Sequence, residues 1–219
     1  MGHRIFLLSP AYAGGQRARM IMSERATFDL AQRVRAEGAS IAEVFTFLSG
    51  LYFRGKIAYA RAFGYAAPGQ CASYVITPTR GLVEAEARVT LDDLREFAEV
   101  DIDEKDPRYR KPLERDARRL ARQLPADAQV VLLGSVASGK YVGVLIAHLG
   151  QRLRFPVDFV GRGDMSRGGL LLRCAGDRQE LEYIAVEGAV RNGKRPPKLT
   201  PRRYPKSLTS QQSATTTGL

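Results

Sequence analysis

Apolar residues follow two rhythms along the chain: short solid runs, and stripes that recur every three or four positions. The solid run at 5–8 and the largely apolar stretches at 73–77, 127–133 and 153–160 predict four strands, of a sheet covered on both faces. Between them the spacing is helical. A first helix is expected from Gln16, with Met20, Phe28, Leu30 and Val34 near one face, ending at Gly38. Ser40 followed by Glu43 has capping-box spacing for a second helix, whose stripe is Ile41, Val44, Phe45 and Leu48. Residues 51–63 carry Tyr52, Phe53, Ile57, Tyr59 and Phe63, Thr90 caps a short helix over 91–97, and Pro107 or Pro112 opens a strongly charged helix to Leu124. A fifth helical pattern covers 141–149, and 170–173 with 181–186 read as a terminal hairpin.

Four strands alternating with helices give an α/β fold: a three-layer α/β/α sandwich with a mostly parallel four-stranded sheet and a C-terminal hairpin. Residues 1–190 form one domain, and 191–219 read as a basic disordered tail. In such sheets ligands sit beyond the carboxyl ends of the strands. Segments 9–15, 77–81, 134–140 and 161–169 should therefore meet at one rim. Each combines Gly or Pro with small polar or cationic residues, which suits a polar ligand, anionic or nucleobase-bearing.

Charge sharpens that picture. The 219 residues carry a net charge of +11, and seven of those charges lie in the acid-free stretch 191–219. A basic tail favours polyanions through counterion release, nucleic acid first; DNA ahead of RNA is the expected partner, a choice that the charge itself does not make. Arg54, Lys56, Lys194, Arg195, Arg202 and Arg203 are the expected nucleic-acid contacts, the first two because 51–61 interleaves cations with aromatic rings. Two cysteines in unrelated contexts and only two histidines offer no metal-ligand spacing, so neither metal nor cofactor is expected. No apolar run reaches bilayer length, residues 1–10 read as a strand rather than a signal peptide, and a cytoplasmic setting follows as the expectation. The sequence leaves the oligomeric state open.

The run from Gly134 to Lys140 has the Gly-x-x-x-x-Gly-Lys form of a phosphate-binding loop between a strand and a helix. The next residue is Tyr141, where that chemistry needs a Ser or Thr hydroxyl on magnesium, so an ordinary strand-to-helix turn is the preferred reading. Gly134, Ser135 and Lys140 remain candidates for substrate contact. Residues 161–169 are the strongest candidate for chemistry: four glycines, Arg162 and Arg167 as planar cations, Asp164 as the sole carboxylate and Ser166 as the sole hydroxyl. From the first loop come Ser9, Tyr12, Gly14, Gly15, Gln16 and Arg17, with Tyr12 placed to stack on a base; Thr77 and Arg80 come from the second.

Val130-Val131-Leu132-Leu133-Gly134 after a charged helix, with a Pro- and Gly-rich loop after strand one and a final loop after strand four, resembles the uracil-DNA-glycosylase-like superfamily. Residues 51–61, 75–82 and 161–173 are similar to an uncharacterised bacterial family. Within them Leu51-Tyr52-Phe53-Arg54, Tyr59-Ala60 and the run from Ile76 to Leu82 are similar to segments of a domain found with tRNA-guanine transglycosylase relatives. The resemblance implies a nucleobase pocket and hydrolysis of N-glycosidic bonds. Residues 161–169 hold no His or Pro, however, and 9–15 neither Asp nor Asn. Asp164 would then handle the water, and Arg162 or Arg167 the departing base. A non-catalytic nucleotide or nucleic-acid binding module and a nucleoside deoxyribosyltransferase-like enzyme are the alternatives.

Overall fold

Six strands form the central sheet, in the order β4-β3-β1-β6-β7-β8. Its four inner members are β1 (Arg4–Leu8), β3 (Ser73–Thr77), β6 (Gln129–Leu133) and β7 (Leu153–Pro156), all parallel. They correspond to the four apolar runs. Leu7 lies opposite Leu132 on one side and Tyr74 on the other, and Phe6, Leu7, Val131 and Leu132 are buried without alternation, as a strand covered on both faces requires. The computed structural model describes residues 2–137 and 139–200.

The sheet is larger than the expected four strands. β4 (Gly81–Glu84) folds back on β3, and β8 (Tyr183–Ala185) pairs with β7, both antiparallel. No terminal hairpin forms from 170–173, because those residues lie inside α8 (Asp164–Asp177), and the chain returns to β7 only after that helix. The Gly-rich loop at 161–169 likewise shrinks to three residues, with Gly163 as the N-cap of α8. Apolar Leu170 and Leu171 extend a helical face that the glycines before them obscure in the sequence. The first expected helix is two, α1 (Gln16–Met22) and α2 (Asp29–Ala36), separated by a turn. A small second sheet joins β2 (Ala39–Ser40) to β5 (Arg88–Val89).

Capping follows local chemistry. Ser40 accepts from the Glu43 N–H at 3.2 Å and starts α3 (Ile41–Ser49), but the Glu43 carboxylate turns to Arg33 and leaves that box half closed. Thr90 and Asp93 close theirs in both directions at the start of α5 (Leu91–Ala98). Asp106 caps α6 (Pro107–Gln123), with Pro107 in the first turn where its missing N–H costs nothing. α6 packs on α7 (Gly139–Leu149) and on β4.

One crossing fixes the site. α4 (Leu51–Phe63) runs against α8 at unusually short range, because glycine stands on both sides of the contact. A Cβ at Gly55 would lie 2.5 Å from the Gly168 carbonyl oxygen, and one at Gly168 would lie 2.7 Å from the Tyr52 Cα. Backbone meets backbone there, so Tyr52 and Lys56 on α4 are held beside the first turns of α8.

Candidate functional site

A cleft of about 710 Å³ opens at the carboxyl edge of the parallel strands. Pro10, Ala11, Tyr12 and Ala13 reach it from the loop after β1, Pro78 from the turn after β3, and Gly139, Lys140 and Tyr141 from the start of the helix that follows β6. Three of the four expected loops therefore do share one recess. Its remaining wall comes from the acidic stretch that joins α5 to α6: Phe97 at the end of α5, then Val100, Asp101, Ile102, Asp103 and Glu104. Apolar Val100 and Ile102, set among acids, are the signal that this segment packs on something.

The walls combine rings with carboxylates. Tyr12 is 73% exposed at the mouth, while Phe97 and Tyr141 are buried at the back. Burial, and then the charge of Asp164, push the Tyr141 phenol up to about 12, so it stays a neutral hydrogen-bonding group. Against Asp101, Asp103 and Glu104 the cleft sets one cation, Lys140. Of the two kinds of guest expected, anionic or nucleobase-bearing, a ring with N–H donors suits that balance better. Glu104 also lies against the face of α7 that carries Gly139 and Gly143, where a Cβ would come within 3.0 and 2.9 Å of its carboxylate oxygens. A carboxylate beside the helix start disfavours phosphate there, which agrees with the turn reading of 134–140.

Beneath the cleft floor lies a buried polar cluster. The Lys56 ammonium donates to the Ser9 carbonyl oxygen at 2.5 Å and to the Ser9 hydroxyl at 2.9 Å, and sits 4.4 Å from the centre of the Tyr52 ring. Desolvation lowers its pKa to about 7, with the nearby Asp164 carboxylate opposing the shift and the Arg167 guanidinium adding to it. Lys56 is thus 1% exposed, and it joins strand β1 to helix α4 rather than meeting nucleic acid at the surface. Its four-residue spacing from Tyr52 on a buried stripe was the sequence signal. Gly134 completes the floor, since a Cβ there would lie 2.9 Å from that of Ser9.

Arg162 and Arg167 are also structural in their observed contacts. Arg167 is buried over the Phe159 ring, donates to the Phe159 carbonyl at 3.0 Å and pairs with Asp164 at 3.5 Å. Arg162 donates to the Ser166 hydroxyl at 3.3 Å and lies 3.9 Å from Asp158. Both hold the start of α8, and a departing base in the cleft would not meet them directly. Asp164 differs: its side chain is 67% exposed, and its charge is felt at Tyr141, Lys56 and Tyr52.

The other expected contacts scatter. Thr77 is buried and spent on the β3–β4 turn, donating to the Gly81 carbonyl and accepting from the Arg80 N–H, both at 3.1 Å. Arg80 pairs with Asp93 and Glu96 on α5. Arg17 donates to the Phe47 carbonyl at 3.1 Å, and Gln16 lies in a separate shallow groove with Arg19 and Met20. Gly14 and Gly15 lie beneath the Tyr12 side chain, and Ser135 is half-buried. Arg54, Lys194 and Arg195 are exposed. The segment bearing Lys194 passes over Gly161, and Leu199 and Thr200 reach Gly169 and Arg173 of α8, so residues 191–200 follow the domain surface instead of standing apart from it. Arg202 and Arg203 lie outside the described residues.

Among the described residues no cluster of His, Cys, Asp and Glu could hold a metal ion, and no helix is long and apolar enough to cross a membrane. Comparisons with protein-family models, curated proteins and solved structures find no match to this chain.

Proposed function

We propose that this chain acts on nucleic acid by receiving one nucleobase in the cleft, on a three-layer α/β/α scaffold, and that the reaction is hydrolysis of the N-glycosidic bond. The observation that carries the reading is the cleft wall itself, with Tyr12, Phe97 and Tyr141 rings beside three carboxylates. Rings stack on any base, and carboxylates accept from the amino and imino groups of a base edge. A duplex substrate would have to release its base from the stack to enter.

The division of labour follows from position. Asp164 stands outside the cleft lining as an exposed carboxylate whose charge reaches Tyr141, and from there it is suited to orienting a water and to countering positive charge on the sugar as the bond opens. Lys140 is the cation of the cleft and would meet the negative charge left on the departing base. Lys56 and Arg167 act behind them, holding β1, α4 and α8 in register.

A second reading has its own support. The engagement of Arg162 with Ser166 and of Arg167 with the Phe159 carbonyl favours a binding module without turnover. Incubating the full chain with single- and double-stranded DNA and RNA, and measuring released bases by mass spectrometry, separates the two. Base release that disappears in Asp164→Asn while binding persists supports the hydrolase. Saturable binding without release, weakened by Tyr12→Ala, supports the module. Neither release nor binding rejects both.

A further inference from the structure

Helix α6 carries a second feature, well separated in its chemistry from the cleft. Its residues Pro107–Gln123 hold seven cations against two carboxylates. The inward face is Tyr109, Leu113, Asp116, Ala117 and Leu120, all buried. The outward face shows Lys111, Arg115, Arg118 and Arg122, all exposed, at steps of four, three and four residues. On a helix those steps keep the four side chains within about 60° of arc and spread them over about 16 Å. They border one shallow groove along the helix surface.

The carboxylates of the helix are already committed. Asp116 is buried and takes both Arg115, at 2.9 Å, and Arg119, at 3.3 Å, while Glu114 pairs with Arg110 at 2.8 Å. Lys111, Arg118 and Arg122 have no acidic partner among the described residues. A solvated helix face ordinarily alternates signs and gains from i,i+4 pairs, whereas this one stacks like charges at a cost. Such a row is compensated when an external polyanion lies along it.

We infer that the outer face of α6 is a track for a nucleic-acid backbone, with Lys111, Arg118 and Arg122 as its principal phosphate contacts. The length fits: a stacked strand places a phosphate every 3.4 Å of axis, so the track spans about five nucleotides. The position fits as well. Residues 101–104 wall the cleft just before α6 begins, and the Tyr109 hydroxyl donates to the Lys140 carbonyl at 2.8 Å, so the track starts at the cleft rim and leads away from it. Contacts of this kind position a strand without reading its sequence. The inference extends the proposed function by naming where the strand lies, and can hold even if no base is released.

The test is fluorescence anisotropy with labelled 20-nucleotide single strands and 20-base-pair duplexes from 50 to 200 mM salt. It compares the full chain with the triple variant Lys111→Gln, Arg118→Gln, Arg122→Gln. Loss of three phosphate contacts should lower the salt slope by about 2 for single strands and about 3 for duplex, with an affinity loss of about tenfold or more at 50 mM salt. A control triple, Arg61→Gln, Arg88→Gln, Arg95→Gln, removes the same charge from exposed residues paired to Glu86, Glu37 and Asp92. It should change affinity by less than about threefold, as expected for charges outside the contact. The single change Arg118→Gln should lower the slope by about 1 and covers the case in which the triple variant is poorly folded by circular dichroism. Equal losses in both triples, or an unchanged slope in the α6 variants, overturns the track. Tyr12→Ala leaves the slope intact, so failure of the cleft reading is visible separately.

Discussion

Lys56 reaches across from α4 to hold both the carbonyl and the hydroxyl of Ser9, joining that helix to the end of β1, from which the cleft loop departs. Burial lowers the pKa of this lysine from 10.5 to about 7 in the folded chain. Between those values the unfolded chain holds a proton that the folded chain has released, so stability rises with pH across that window, by up to about 1.4 kcal/mol per unit. Below pH 7 this contribution is lost and flat. Urea unfolding at pH 7, 8.5 and 10 should show the rise, and Lys56→Met should remove it. A wild-type profile that is level or falling over this range contradicts a neutral buried amine.

The glycine pair at the α4–α8 crossing makes a second expectation. Gly168→Ala would press a methyl group against the Tyr52 backbone, which cannot swing aside as a side chain does. Forcing the helices apart should cost about 1–3 kcal/mol in chemical denaturation, and Gly55→Ala should do the same. Gly176→Ala, on the same helix but facing open space, should leave stability unchanged or raise it by up to about 1 kcal/mol. Equal effects at positions 168 and 176 would mean that the crossing is not close-packed.

How far these features could be read in advance varies with the physics behind them. The four parallel strands stand out because strands buried on both faces must be continuously apolar, as in the run Val130, Val131, Leu132 and Leu133. β4 and β8 are short edges with one partner each, and Leu82 or Ile184 alone gives no such run. α8 is hidden by Gly168 and Gly169, which lower helix propensity; Gly168 serves the close crossing with α4, a tertiary need with no local signature. At the site, Tyr12, Gly134 and Lys140 were legible as loop residues after strands. Lys56 and Arg167 were legible as cations but not as buried ones, since burial is decided by partners distant in sequence. Asp101, Asp103 and Glu104 were readable only as charge, while the apolar residues between them turn that charge toward the cleft.

Tyr12 separates binding from folding. Its ring is largely exposed at the cleft mouth, so Tyr12→Ala should leave the melting temperature within about 1 °C while removing a stacking surface. Loss of one base–aromatic stack weakens binding by about 1–3 kcal/mol, roughly 5- to 150-fold. Isothermal titration with nucleosides and short oligonucleotides measures it. Unchanged affinity would place the base elsewhere than between Tyr12 and the cleft wall.

Asp116 ties α6 to the sheet edge. Its carboxylate, 2% exposed, accepts from the Leu82 N–H at 3.0 Å and lies beside Gly81, where a φ of +69° disfavours a side chain and a Cβ would fall 2.5 Å from the Pro112 carbonyl oxygen. Asp116→Ala leaves the Leu82 N–H buried without an acceptor and should cost about 1–3 kcal/mol, whereas Asp116→Asn keeps an oxygen in place and should cost less. Gly81→Ala strains the same turn, so the double variant Gly81→Ala, Asp116→Ala should lose less than the two single changes together, because either one already loosens the contact. Urea denaturation of the four variants reads all of these differences. Strict additivity would show that the turn and the carboxylate stabilise the edge independently, and would undo the account of α6 as locked onto β4 through this residue.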